Sequence, residues 1–231
     1  MRRFWKSAEV REDSGGWGVD LDGKPVRTPA RVALAVPTRA LAAAIAEEWR
    51  GAGDTVDPRA MPLTGLANAA IDHVAQDKAG FAGGLARYAE ADLACYRSEW
   101  PPQLVDRQEQ SWDPLLAGGR RRFDVDFSTT SGLMHIPQPP ATVERLAHEV
   151  VALDPFQLAG LSPLVTVGGS LLAALAVFEE TISPEAAWEA VSVDDRWQLE
   201  QWGSDADAEL ALETRRSDFF AGARFLKLLD Q

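Results

Sequence analysis

Cysteine and histidine are scarce in this sequence, which has one cysteine and three histidines among 231 residues. A single cysteine excludes an intramolecular disulfide framework and a zinc site built from cysteines, and three scattered histidines do not readily replace them. We therefore expect a reducing environment and a protein that holds no metal and no other cofactor.

Positive charge is also in short supply. The chain has 23 Lys and Arg residues against 35 Asp and Glu residues, and its formal net charge is −12. A chain this acidic repels phosphate backbones and anionic membrane surfaces. Nucleic acid is therefore not an expected partner.

The N-terminus carries no targeting signal that can be recognised from its pattern. The first ten residues, MRRFWKSAEV, lack the apolar run of about 7–15 residues that a secretory signal needs. They also change into strand-like sequence too early for a mitochondrial presequence. We expect a protein of the bacterial cytoplasm, or of the mitochondrial matrix if a presequence has been removed.

One uncharged segment, residues 155–178, is long enough to span a bilayer. Two features oppose that interpretation: Pro163 and the Gly168-Gly169 pair divide the segment, and its flanking residues are acidic rather than basic. The pattern favours a buried helical hairpin inside a helical domain over a membrane span.

Residues 4–36 have the pattern of strands and turns. In WGVDLDGKPVRTP, apolar residues alternate with polar or small ones, and Asp22-Gly23 supplies a two-residue turn. The run RVALAV at 31–36 predicts another strand. The sequence therefore predicts a small antiparallel β domain over residues 1–37, with room for adjoining segments.

The hydrophobic period changes to that of helices after residue 37. Thr38 is a predicted N-cap, Asp113-Pro114 predicts the start of a new helix, and Ser183-Pro184-Glu185 predicts another start. Residues 38–231 are thus predicted to form a mainly α-helical domain. The expected fold class is α+β, a small N-terminal antiparallel β domain followed by a larger α-helical domain.

Searches for catalytic motifs give little. The chain has no G-x-x-x-x-G-K-[ST] loop, no G-x-G-x-x-G after a strand, no G-x-S-x-G elbow and no H-E-x-x-H pair. Cys95 and His73 could form a thiolate pair in space, but a small buried thiol on a helix is the favoured interpretation.

The alternative enzyme hypothesis depends on the segment ADLACYRSE. Asp92 falls on a predicted helical stripe over residues 81–95 that should face the core, and Tyr96 and Arg97 follow it. These three residues could form the site of a small-molecule hydrolase or isomerase between the two domains. A buried ion pair between Asp92 and a nearby arginine is the favoured structural explanation.

The strongest charge feature lies between residues 179 and 213, where eleven acidic residues accompany Arg196 alone. Such a run is often only a solvated surface. Here Trp188, Trp197 and Trp202 are interleaved with the acids, and tryptophan is costly to expose unless it packs or binds. The combination indicates an interface for a basic, partly apolar partner, and an acidic mimic of nucleic acid is a further alternative.

Long segments of the chain resemble one protein family nearly end to end. RFWKSAEV, GWGVDLDGKPVRTP, LAAAIAEEW, DPRAMPLTGLANAAID, YAEADLACYRSE, QEQSWDPLL, GGSLLAALA and DDRWQLEQWGSDADAE occur in the order typical of the assembly chaperone that protects the α subunit of the F1 head of ATP synthase. The resemblance implies an ATP-independent, non-enzymatic chaperone. It would bind free α subunit, shield its subunit-contact surface and yield it to the β subunit during assembly of the α/β ring. We expect it to be monomeric when free.

The resemblance also directs attention to the late acidic motif, which in the family commonly reads W-G-E-D-x-E-A. This chain has Ser204 and Asp207 where that motif has its two glutamates. We hypothesise that the segment 194–213 supplies carboxylates to Arg or Lys of the partner, while tryptophans cover apolar surface. The predicted partner-binding residues are Asp194, Asp195, Trp197, Trp202, Asp205, Asp207 and Glu209.

Overall fold

The N-terminal strands form one antiparallel sheet. In the computed structural model, which describes residues 2–13, 15–132, 134–203 and 205–230, β1 (Ala8–Asp13) pairs with β2 (Gly16–Leu21). Strand β2 also pairs with β3 (Lys24–Pro25) and with β4 (Ala35–Val36), both antiparallel. The predicted α+β class with an N-terminal antiparallel sheet is confirmed.

The turn between β2 and β3 has the predicted geometry. Asp22 and Gly23 both have positive φ angles, 48° and 76°. A two-residue hairpin turn needs such angles for its twist to match the right-handed twist of the two strands that it joins. The predicted strand at 31–36 is shorter than expected. Arg31 lies at φ 66° in a turn closed by its N–H to the Thr28 carbonyl, so regular pairing starts only at Ala35.

Helix α1 (Arg39–Gly51) begins where the sequence predicts. The Leu41 N–H donates to Thr38 Oγ1 at 3.1 Å, which satisfies one of the unpaired donors of the first turn. The helix packs its apolar face on β1 and β2, and Trp5 contacts Trp49 edge to face at 5.1 Å. The core of this region therefore lies between the sheet and α1.

The helices and short turns that follow α1 are distributed over two compact units. The chain divides into two compact units, one containing residues up to Lys78 with 154–160 and the residues from Arg224 onward, the other containing 79–153 and 161–223. Short 3-10 or π turns lie at Pro58–Ala60, Ala70–Val74, Arg87–Glu90 and Leu93–Cys95, and β5 (Tyr96–Arg97) pairs in parallel with β6 (Thr130–Ser131). The remaining helices are α2 (Pro62–Ala69), α3 (Lys78–Ala86), α4 (Pro102–Phe123), α5 (Pro140–Ala152), α6 (Pro155–Gly168), α7 (Leu171–Phe178), α8 (Pro184–Val191), α9 (Val193–Trp202) and α10 (Ala206–Leu229).

The prediction of a new helix at Asp113-Pro114 is wrong, because α4 continues through Pro114. A proline inside a helix costs about 3 kcal/mol by removing one hydrogen bond and crowding the preceding turn. Trp112, Leu115 and Leu116 are buried on both sides of the proline, and their burial offsets that cost. Asp113 is not a cap; it forms an ion pair with Arg97 at 2.7 Å.

The uncharged segment forms two helices, α6 and α7, interrupted at Gly169, whose φ is 68°. Ser170 caps α7 by accepting the Ala173 N–H at 3.1 Å, and α7 contacts α4 and α8. Within the described part of the chain, no helix has both the length and the apolar character needed to cross a membrane.

In the described part of the C-terminal region, α8, α9 and α10 are separate helices. Ser183 caps α8 through the Ala186 N–H at 3.1 Å, as predicted, and α9 ends at Trp202, which Gly203 follows with a φ of 83°. Ser204 of the late acidic motif lies outside the described residues.

Candidate functional site

The residues of the enzyme hypothesis do not converge. Asp92 is buried, and its carboxylate accepts hydrogen bonds from Ala94 N, Ser170 Oγ and Leu172 N at 2.8–3.0 Å. Tyr96 Oη instead contacts His135 Nδ1 at 2.8 Å, and Arg97 pairs with Asp113.

Asp92 therefore caps helix α7 and the 3-10 turn Leu93–Cys95. The predicted helical stripe over 81–95 is wrong beyond Ala86, where α3 ends. The predicted ion pair of Asp92 with an arginine is also wrong, because among the described residues the partners of its carboxylate are Ala94, Ser170 and Leu172. Burial raises the pKa of Asp92, against the hydrogen bonds from Leu172, Ala94 and Ser170, which lower it. The geometry is that of a structural carboxyl group.

Cys95 is fully buried, as the favoured sequence interpretation requires. Burial, together with the negative charge of Asp92, raises the pKa of its thiol to about 12. The thiolate is the nucleophile in cysteine chemistry, so this side chain is not poised for catalysis.

We expect Cys95 in the folded protein to react with iodoacetamide at least roughly tenfold more slowly than in the urea-unfolded chain, because its thiol is both inaccessible and protonated. Mass spectrometry of the alkylated fraction over time measures this. Labelling at the same rate in both states would contradict the burial and the raised pKa.

Nearly half of the acidic run is neutralised within the chain. Across the ranges that the structure describes, five of its eleven carboxylates form ion pairs with arginines, so the surface carries less free negative charge than the sequence suggests. The pairs are Glu179 with Arg122, Glu189 with Arg196, Asp195 with Arg215, Glu200 with Arg107 and Glu213 with Arg216.

The first two predicted partner-binding acids hold α9 in place. Asp194 is half-buried and accepts a hydrogen bond from Gln108 Nε2 of α4 at 2.7 Å. Burial raises the pKa of Asp194, and the Gln108 hydrogen bond opposes that shift. Asp195 pairs with Arg215 of α10 at 2.9 Å.

The remaining predicted acids, Asp205, Asp207 and Glu209, are exposed at the start of α10. Asp205 Oδ1 accepts the Asp207 N–H at 3.0 Å, an N-cap arrangement. Among the residues that the structure describes, none of these three carboxylates has an arginine or lysine partner within 4.0 Å. Glu180 and Glu185 of the acidic run are also exposed without an ion pair among the described residues, but Asp205, Asp207 and Glu209 are the unpaired acids that lie next to Trp202 in the chain.

The three tryptophans of the acidic run have different environments. Trp188 is buried and packs on Phe219 at 5.5 Å, so its interpretation as an interface residue is wrong. Trp197 is half-buried, with the Arg107 guanidinium 4.9 Å from its ring centroid. Trp202, by contrast, is 80% exposed.

Trp202 shares a groove with a residue that the sequence analysis missed. Trp100 is 76% exposed, and both indoles line an open groove of about 730 Å³. A local signal for Trp100 was present: Pro101-Pro102 follow it, and Pro102 is the first residue of α4, so Trp100 lies outside that helix. The groove is lined by Trp100, Pro101, Gln103, Arg107, Trp197, Gln201 and Trp202.

The candidate site is therefore an exposed tryptophan groove followed in the chain by three unpaired carboxylates, at Asp205, Asp207 and Glu209. We call these two parts the tryptophan groove and the acidic turn. Within the described ranges, His, Cys, Asp and Glu side chains form no cluster of three or more that could hold a metal ion. The arrangement is suited to binding another macromolecule, because exposed aromatic surface gains from being buried and the carboxylates can attract and pair with basic groups of a partner.

The chain is similar in sequence to one family of chaperones. The family model described as "ATP12 chaperone protein" matches residues 2–119. The protein atp12, mitochondrial, of Schizosaccharomyces pombe is 26% identical over 220 residues, which are 90% of this chain and 76% of that protein.

Two solved structures match almost the whole chain. Atp12 from Paracoccus denitrificans is 40% identical with a TM-score of 0.93, covering 99% of this chain and 98% of that one. The Atu1473 protein of Agrobacterium tumefaciens is 35% identical with a TM-score of 0.94, covering 99% and 86% of the two chains.

Proposed function

This chain belongs to the ATP12 chaperone family of F1-ATPase assembly chaperones, and we propose that it binds the free α subunit of F1. The bound chain shields the subunit-contact surface of the α subunit. It yields the α subunit to the β subunit during assembly of the α/β ring. We place it in the bacterial cytoplasm, or in the mitochondrial matrix if a presequence has been removed, and as a monomer when free.

The observation that carries this proposal is the exposure of Trp100 and Trp202 in one groove. Tryptophan is a large apolar side chain that is enriched at binding hot spots, and leaving two of them in water forgoes the free energy of burying them. A partner that covers the groove recovers that free energy. An unassembled subunit, whose apolar contact surface is itself exposed, is such a partner.

The acidic turn contributes orientation and rate. Its three carboxylates are exposed and unpaired within the described residues, so they attract basic groups before contact is made. Rim charges of this kind speed encounter and suppress wrong partners. They are also screened by salt, because the Debye length falls from about 10 Å at 0.1 M to about 3 Å at 1 M ionic strength.

We further propose that the protein acts without catalysis and without bound ATP. Asp92, the residue at the centre of the enzyme hypothesis, has its carboxylate occupied by donors of its own chain. The thiol of Cys95 is buried and protonated at neutral pH. Both residues thus have structural explanations that need no substrate.

Reversing the charge of the acidic turn with D205K, D207K and E209K is expected to weaken α-subunit binding by roughly tenfold or more at low ionic strength, because attraction becomes repulsion. Capture of purified recombinant α subunit on the immobilised chaperone, with and without added salt, measures this. Circular dichroism checks that the variant folds.

The matched control is E144K, E180K and E185K, which makes the same change in charge at exposed acids with no ion pair among the described residues. We expect it to retain most of the binding. Equal loss in the two variants would contradict a specific role for the acidic turn. Failure of the unmodified chain to capture α subunit at low ionic strength would overturn the proposed function itself.

A further inference from the structure

We infer that the tryptophan groove recognises an arginine side chain of the partner, with the guanidinium packed on the exposed indoles of Trp100 and Trp202 and paired with a carboxylate of the acidic turn. This inference rests on the proposed function and specifies the chemistry that its binding site selects.

The groove already holds one guanidinium in this way. Arg107 lies over Trp197, 4.9 Å from the ring centroid, and its Nη1 donates to Glu200 Oε2 at 2.7 Å. Both Arg107 and Trp197 line the groove. An indole face together with a carboxylate is therefore a guanidinium site that this surface already forms from its own residues.

The aromatic component of such a site is present a second time and is unoccupied by the described residues. Trp100 and Trp202 expose most of their surface, and neither ring has an arginine of the described chain over it. The acidic turn begins three residues after Trp202, at Asp205, so α9 ends with an exposed indole close in sequence to unpaired carboxylates.

Charge complementarity favours a cation over an apolar anchor. The positive charge of Arg107 is paired with Glu200, so it leaves no net charge to repel an incoming cation. The two glutamines in the groove lining, Gln103 and Gln201, add polar surface that a purely aliphatic side chain would leave unpaired. The described residues of the groove therefore combine aromatic faces with no unpaired positive charge, and the acidic turn follows the groove closely in the chain.

Arginine fits this combination better than lysine. The guanidinium is planar, is more weakly hydrated than an ammonium group, and stacks on aromatic faces while donating two parallel hydrogen bonds to a carboxylate. A lysine ammonium retains its hydration more strongly and offers no plane to stack. Selectivity for arginine is thus the property that separates this inference from general attraction of positive charge.

The test uses the indole N–H signals of the isotopically labelled full chain in two-dimensional NMR spectra. The probes are N-acetyl-arginine amide, N-acetyl-lysine amide and N-acetyl-leucine amide, each titrated into the millimolar range. We expect the arginine probe to shift the Trp100 and Trp202 signals and to bind about fivefold more tightly than the lysine probe, because the guanidinium is less strongly hydrated and adds planar stacking to the cation–π attraction that both cations gain.

The variants W100A and W202A assign the signals and should each weaken the arginine response about fivefold, because each removes one indole. F4A, which removes another exposed aromatic ring, is the control and should leave the response unchanged. Since all three side chains are exposed, we expect the variants to fold.

The inference would be overturned by equal shifts with the lysine probe, by equal or larger shifts with the leucine probe, or by no shift of either indole signal. Signals that move with protein concentration in the absence of a probe would indicate a second copy of the chain in the groove and would also overturn it. If the chain captures α subunit in the separate binding assay but the arginine probe shifts neither indole signal, this inference is wrong and the proposed function is still supported.

Discussion

Replacing Asp92 by alanine is expected to lower the free energy of unfolding by about 3–5 kcal/mol, because it strands several buried donors at once. Ser170 Oγ donates to Asp92 Oδ1 at 2.8 Å, and the N–H groups of Ala94 and Leu172 donate to the same carboxylate at 3.0 Å. All of these contacts are buried, so water does not replace the lost acceptor. Urea unfolding followed by circular dichroism measures the change.

The matched variant is Asp92→Asn, which has the same shape and keeps one acceptor oxygen. Its amide group places donors where the carboxylate had an acceptor, so we expect an intermediate loss of stability near pH 7. A stability of Asp92→Ala equal to that of the unmodified chain would show that Asp92 does not hold α7, and would reopen the search for another role of this buried acid.

The stability difference between the unmodified chain and Asp92→Asn should also depend on pH. Burial raises the pKa of Asp92 in the folded state, so between the unfolded pKa, about 4, and the higher folded pKa, the unfolded chain binds fewer protons than the folded one. Stability contributed by Asp92 therefore falls as pH rises through this window. Position 92 of the asparagine variant does not titrate. We therefore expect the difference in free energy of unfolding between the unmodified chain and this variant to be smaller at pH 7 than at pH 4. The opposite trend would contradict the raised pKa.

Replacing Gly16 by alanine is expected to cost about 3 kcal/mol or more, since the new methyl group meets backbone rather than a movable side chain. A Cβ at this position would lie 2.3 Å from the Val36 carbonyl oxygen and 3.2 Å from its carbon. The φ angle of Gly16 is +131°, which side-chain-bearing residues rarely adopt. The substitution would push β4 away from β2, and thermal and urea unfolding would both measure the loss.

Gly65→Ala is the control for this prediction. Gly65 lies inside α2 and a Cβ there would meet nothing within 4 Å. Because alanine favours the helix and restricts the unfolded chain, we expect this variant to gain about 0.5–1 kcal/mol. The two substitutions add the same methyl group, so stability that falls in both would point to a general intolerance of alanine rather than to the contact with Val36.

Local features of the fold could be predicted from sequence because they involve residues within a few positions of each other. The Asp22-Gly23 turn, the Thr38 cap and the Ser183 cap all depend on contacts of this kind. The start of a helix at Pro114 could not be judged locally, because the buried residues on both sides of the proline decide whether the helix continues.

The candidate site shows the same division. The sequence alone determined the fold class, the family and the positions of the acidic run and of Trp202, since these follow from patterns and motifs along the chain. Only the tertiary structure decided which carboxylates remain unpaired and which tryptophans remain exposed. Arg107 neutralises Glu200, and Trp100 lines one groove with Trp202, through contacts between α4 and α9 that bring together residues far apart in sequence. A carboxylate or a tryptophan is available to a partner only if no other side chain of the same chain already pairs with it or covers it. Those contacts exist only in the folded chain, so the sequence alone does not show them.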